Sequence, residues 1–161
     1  LYGYVVEAEV YMPYSDYVDL RSKIGRDSLV QEEIKLLTMR QVIEQGIPIR
    51  LNNVFFDFDK ADLRPESKME LDRLKQVISK NPMLRVEIMG HTDWEGPGEY
   101  NLILSEKRAA SVRNYLIEAG IPAELLVSHG FGETRPMAPN SSPEGRQLNR
   151  RVEFRFLPLN N

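Results

Sequence analysis

From Ile49 onward the chain switches between two hydrophobic periods, and no other feature limits its fold so tightly. Period two puts alternate side chains on opposite faces of a strand, whereas period 3.6 gathers them on one face of a helix. The stretch "IRLNNVFFDF" (49–58), rich in β-branched and aromatic residues, reads as a strand. Pro65 stands where a helix takes its first residue, with Glu66 in the favourable first turn. Leu71, Leu74 and Ile78 follow at helical spacing, and Asn81-Pro82 stops the helix. "LRVEIMG" alternates as a second strand, and a long helix follows from about Gly98 to Ala119, closed by Gly120 with Pro122 beyond. "LLVSHGFG" and "RRVEFRF" read as the third and fourth strands, the last with Val152, Phe154 and Phe156 on one face. The long polar loop between them has room for one helical turn. This βαβαββ order predicts an α+β fold, an α/β sandwich with one mixed sheet and helices packed on a face.

Residues 1–48 have a different texture. Val6, Ala8 and Val10 alternate with Glu7 and Glu9 as in a strand, and Pro13-Tyr14-Ser15-Asp16 reads as a turn. The stretch from Leu29 to Val42 fits strand or helix. So few elements can hardly bury a core alone. The segment therefore reads as the remnant of a preceding domain, β-rich or irregular, with a linker near Gly46-Ile47-Pro48. The main domain is expected at 49–158.

The bulk numbers exclude more than they identify. With 161 residues there is room for one ordinary domain and an appendage. A formal charge of −3 gives no reason to expect nucleic acid as a partner, which usually needs a basic surface. Cysteine is absent, which removes disulfides, thiolate metal sites and a cysteine nucleophile. No apolar run approaches the roughly 18–20 residues that span a bilayer. The chain opens on Leu1-Tyr2-Gly3-Tyr4, without a methionine or an apolar leader. It reads as a fragment whose membrane tether lies upstream.

Asp93 stands at the end of the second strand, in "MGHTDWEG", and strand ends and the loops after them are where α/β folds place ligands. In the next helix Leu102, Ser105, Ala109, Val112 and Leu116 form a stripe expected to face the sheet. Asn101 and Arg108, seven residues apart, project together at its edge and can line a groove beside Asp93. An acid and an arginine across a groove suit a zwitterion: the carboxylate takes an ammonium, and the guanidinium takes a carboxylate in a two-pronged contact. On spacing alone the plainer readings stay open and are the commoner: a direct Asp93–Arg108 ion pair, or Asp93 capping a turn.

Several quoted pieces occur together and in order: "FFDFDKADLRPES", "VEIMGHTDWEGPGEYNLILSEKRAASVRNYLIEAGIP", "LVSHGFGETRPMAPN" and "EGRQLNRRVEF". With them the chain from about Asn53 to Phe156 resembles the OmpA-like (OmpA/MotB) peptidoglycan-associating family. In that family the aspartate of the His-Thr-Asp motif and the arginine of the Leu-Ser-x-x-Arg-Ala motif hold the free zwitterionic end of diaminopimelate in the peptide stem. The matching positions are Asp93 and Arg108. The resemblance thus implies a non-enzymatic cell-wall anchor in the periplasm, associated with the outer membrane. It also implies Phe58 and Asp59 as a second groove wall, Thr92 and Asn101 as ligand contacts or supports of Asp93, and Leu104 as cover for the ligand's methylenes. Arg150, rather than Arg151, is favoured near the site. Phe58 as plain core and Asn101 as a solvated first-turn residue stay open. Trp94, in place of a smaller polar residue, and Gly96-Pro97-Gly98 depart from the family pattern without touching the two charged anchors.

Enzyme readings find little footing. His91 and His129 are the only histidines, and no Gly-x-Ser-x-Gly elbow accompanies Ser105 or Ser128. His91 and Asp93 lack a third metal ligand at sensible spacing, and nothing marks Asp57 or Asp59 as a glycosidase acid. No catalytic residue, metal or cofactor is expected. The competing reading is an assembly module of a larger envelope machine, with other envelope proteins as partners and the wall only as its anchor.

Overall fold

The computed structural model describes residues 2–6, 14–18, 38–57 and 59–158, the first two segments and Pro158 by their backbone alone. Near the N-terminus β1 (Tyr2–Val6) and β2 (Tyr14–Val18) pair antiparallel, Tyr2 opposite Val18 and Val6 opposite Tyr14. Ala8 and Val10 of the expected strand lie outside the described residues. The turn expected at 13–16 is corrected: Tyr14 to Asp16 belong to β2, where tyrosine and valine favour extended backbone.

The described part of the ambiguous 29–42 stretch is helical. In α1 (Met39–Gln45) Thr38 accepts from the Gln41 N–H at 3.2 Å, while the Gln41 side chain accepts from the Thr38 N–H at 3.1 Å. This reciprocal cap fixes the start. Gly46, at φ 58°, closes the helix in the left-handed conformation that glycine adopts without strain. Val42 is fully buried in the core described below.

The expected ten-residue strand at 49–58 is corrected to two residues, β3 (Ile49–Arg50). Asn52 and Asn53 turn the backbone away, and both favour turns. The chain then runs extended, with a single bridge between Phe56 and Leu63. Ser67 pins it: its hydroxyl accepts from the Phe55 N–H at 2.9 Å and donates to the Phe55 carbonyl at 3.2 Å. Helix α2 (Ser67–Ser79) starts two residues after Pro65 and buries Leu71, Leu74 and Ile78. Then come β4 (Leu84–His91), α3 (Gly98–Glu118), β5 (Leu126–Gly130), α4 (Pro143–Asn149) and β6 (Arg151–Pro158). The polar loop thus holds a seven-residue helix rather than one turn, capped by Ser142 with Pro143 in its first turn.

The sheet order is β3-β6-β4-β5; β4 and β5 run parallel and the other neighbours antiparallel. This is the expected α+β fold with one mixed sheet. In the register Val86 faces Phe156, Ile88 faces Phe154 and Gly90 faces Val152. These residues, Leu126 and the apolar faces of α1, α2 and α3 form one core. Leu102 was expected in the α3 stripe, but it is 46% exposed, and Asn101 is buried in its place. Gly90 and Gly130 let α3 lie on the sheet: a Cβ on Gly130 would come within 2.4 Å of the Glu106 nitrogen. Among the described residues no helix is long and apolar enough to cross a membrane.

Candidate ligand-binding groove

Where β4 ends, the chain enters a loop that faces residues 54–57 and Asp59 across a groove of about 890 Å³, with α3 as its floor and α4 at its rim. Asp59, Thr92, Asp93, Asn101, Leu104, Arg108 and Arg150 all line it, so seven of the eight expected site residues converge. The eighth, Phe58, lies outside the described residues.

Asp93 is buried, and both its carboxylate oxygens are engaged. Oδ1 accepts from the Glu95 N–H at 2.9 Å, which shapes the loop, and Oδ2 pairs with the Arg150 guanidinium. Neither plain expectation for this residue is complete: Asp93 does cap a turn, but its ion-pair partner is Arg150, not Arg108. Arg150 caps α4 and also donates to Gln147 Oε1 at 2.6 Å. Arg151 points elsewhere, donating to Glu153 at 2.7 Å and to the Arg135 carbonyl at 3.1 Å. Both arginines are thus bonded, Arg150 at the groove and Arg151 away from it.

Arg108 is buried on α3. Its Nε donates to the Lys60 carbonyl at 3.0 Å, and its guanidinium lies 5.1 Å from the centre of the Phe56 ring, a cation–π contact. No carboxylate among the described residues reaches it within ion-pair distance. Burial lowers its pKa, and the Arg150 charge lowers it further, while Asp59 and Asp93 pull the other way. An arginine stays charged through such a shift, so the groove holds a cation whose terminal nitrogens have no hydrogen-bond partner among the described residues.

The remaining residues support this frame. Asn101 Nδ2 donates to Glu133 at 2.7 Å and to the Asp93 carbonyl at 3.3 Å, so it braces the loop. The Thr92 N–H donates to the Gly132 carbonyl at 2.9 Å, and its buried hydroxyl has no partner among the described residues. Leu104 is half-buried on the floor. Asp59 is exposed and left-handed at φ 60°, a conformation aspartate tolerates better than most residues. Asn149 fixes the far loop, accepting from Met137 and Ala138 and donating to Ala138 and Asn140.

His91 faces away from the groove. It stacks on Phe131 at 5.5 Å, and its Nε2 lies 3.5 Å from Glu153 Oε2. Burial alone would push the Glu153 carboxyl up; the His91 ring and the Arg151 guanidinium outweigh it and hold the carboxyl at about 2. Sequence reasoning missed Phe56, Tyr100, Arg146 and Gln147 as groove residues. The aromatic pair Phe55-Phe56 was the one available signal.

Fold and groove together define an α+β domain with one buried acid and one buried arginine across a cleft. The OmpA family matches residues 55–150, and the chain belongs to that family. Outer membrane protein A of Bordetella avium is 41% identical over 105 residues, covering 65% of this chain and 54% of that protein. Among solved structures, the peptidoglycan-associated lipoprotein of Burkholderia pseudomallei aligns at TM-score 0.60 and 30% identity, over 64% of this chain and 87% of that one. The cell wall anchor of the T6SS from Pseudomonas aeruginosa aligns at TM-score 0.60 and 31% identity, over 70% and 80%. The chain spans less than two thirds of the length of the curated relatives it matches.

Proposed function

We propose that this domain grips peptidoglycan without cleaving it, holding the zwitterionic end of diaminopimelate in the peptide stem between Asp93 and Arg108. Asp93 takes the ammonium and Arg108 the carboxylate, while Leu104 covers the methylenes between them. One observation carries this reading: the two opposite charges are buried in the same groove yet do not pair with each other. Thr92, Asn101, Asp59, Phe58 and Arg150 complete the site in this reading. Family membership and the wall association in the relatives' names support the anchoring role. The domain is then a periplasmic, outer-membrane-associated cell-wall anchor. The wall-gripping unit is 49–158, preceded by the remnant of another domain, with α1 packed onto its sheet.

A charge-assisted hydrogen bond contributes roughly 1.5–3 kcal/mol. Two such anchors, less the cost of association, give a dissociation constant on the order of micromolar to millimolar for one stem. Many copies on one membrane facing a polymeric wall make the attachment durable. The test is sedimentation with purified peptidoglycan: Asp93→Ala and Arg108→Ala should each abolish it while leaving the circular dichroism spectrum unchanged. If both variants still sediment with the wall, the clamp assignment fails.

A further inference from the structure

In the groove a cation sits at the place that this reading gives to the ligand's ammonium. The Arg150 guanidinium sits on Asp93 Oδ2, and the other oxygen is taken by the Glu95 N–H. Arg150 is not locked there. Its side chain is 38% exposed, whereas that of Asp93 is 7% exposed, and its second partner, Gln147, is an exposed side chain on the short helix α4. Asp93 is therefore fixed, and Arg150 is the partner with room to move.

A second observation concerns Arg108. The Arg150 charge is near enough to Arg108 to depress its pKa, so two guanidiniums press on each other across the groove. An anion between them would relieve both. An ammonium arriving alone has the opposite effect, because it evicts Arg150 from Asp93 and leaves a third cation in a partly desolvated cleft, where like charges repel strongly.

We propose that Arg150 is an internal stand-in for the ligand's ammonium and a specificity-determining residue. On binding, the ammonium takes Asp93 Oδ2, and the released Arg150 guanidinium joins Arg108 on the ligand's carboxylate. Recognition then demands both charges of the zwitterion. A carboxylate alone finds Arg150 still held by Asp93, and an ammonium alone must strand a guanidinium. Selectivity against the wrong ligand is built in as a repulsion rather than as a missing contact. This inference rests on the diaminopimelate reading above.

The test is calorimetric titration of the full chain with two synthetic tripeptides amidated at the C-terminal α-carboxyl: L-alanyl-γ-D-glutamyl-diaminopimelate and L-alanyl-γ-D-glutamyl-L-lysine. The first keeps a distal zwitterion and the second a distal ammonium alone. The wild-type chain should favour the first by at least roughly tenfold. In Arg150→Ala the lysine peptide should bind more tightly, and the ratio should fall by roughly fivefold or more. Arg150→Gln, which can still hydrogen-bond Asp93 but carries no charge, should behave alike; should the alanine variant lose its circular dichroism signature, the glutamine variant decides. An unchanged ratio in a folded variant overturns the role of Arg150 and leaves the clamp standing. A wild-type chain that binds neither peptide overturns the diaminopimelate reading and this inference with it.

Discussion

Gly90 and Ser105 are in backbone contact: a Cβ on Gly90 would lie 2.1 Å from the Ser105 carbonyl oxygen and 2.9 Å from its carbon. Helix α3 therefore rests directly on β4, and this contact sets the depth at which Asn101 and Arg108 enter the groove. Ser105 adds to the fit, its hydroxyl accepting from the Gly132 N–H at 2.8 Å. Gly90→Ala should cost at least roughly 3 kcal/mol, because a backbone rather than a flexible side chain must give way. Thermal unfolding measures the loss, and sedimentation with peptidoglycan should weaken in parallel. A variant melting with the wild type would show that α3 can back away from the sheet.

Asn149 is fully buried and ties the 137–140 loop to the end of α4 through four hydrogen bonds. Asn149→Ala removes the partner of two part-buried backbone N–H groups and of a carbonyl, and should destabilise the protein by roughly 1–3 kcal/mol. Urea unfolding checks the size. A loss below about 1 kcal/mol would mean that water replaces the side chain.

The stability should fall in acid along a limb set by Glu153. Its carboxyl is held at about 2 in the folded protein, below the ordinary 4.5. The folded state thus favours the ionised form, and the stabilisation is fully present above the ordinary value. It is lost as pH falls from about 4.5 towards 2 and amounts to at most on the order of 3 kcal/mol, less what solvent screening removes. Urea midpoints between pH 7 and pH 3 should show this slope, and Glu153→Gln should flatten it. A glutamine variant with an unaltered acid limb would assign the slope to other carboxylates.

If the groove grips its ligand by charge as proposed, incubation with purified wall fragments should release no muropeptides. Chromatography of the supernatant is the measurement. Product that disappears in a His91→Ala variant would revive a hydrolytic reading.

The repeating part of the fold was legible because period and burial coincide there. Leu71, Leu74 and Ile78 and the Val152-Phe154-Phe156 row stand in the core as their spacing predicts. The misreadings have local and long-range causes. At 49–58 the β-forming composition outweighed the Asn52-Asn53 pair, which turns the chain after two residues of pairing. Helix α4 had its signal in Ser142-Pro143, an N-cap followed by a first-turn proline, yet its few apolar residues hid it. In α3 the exchange of Leu102 for Asn101 depends on Glu133, which is 32 residues away in sequence. The Asp93–Arg150 pair spans 57 residues. Periodicity cannot see such partners. It places residues on faces of one element, whereas these bonds depend on how the loops return.

The pairing of β4 with β6 bears on how such an anchor carries load. Asp93 follows β4 by two residues, and Arg150 immediately precedes β6, so both ends of their ion pair lie at the same end of a ladder of eight residue pairs from Leu84 to His91. β6 is itself flanked by β3 on its other side. A pull entering at the groove therefore reaches β4 and β6 together, along strands whose cross-strand bonds lie perpendicular to it. Under the proposed anchoring, load would thus enter at the longest strand pairing among the described residues.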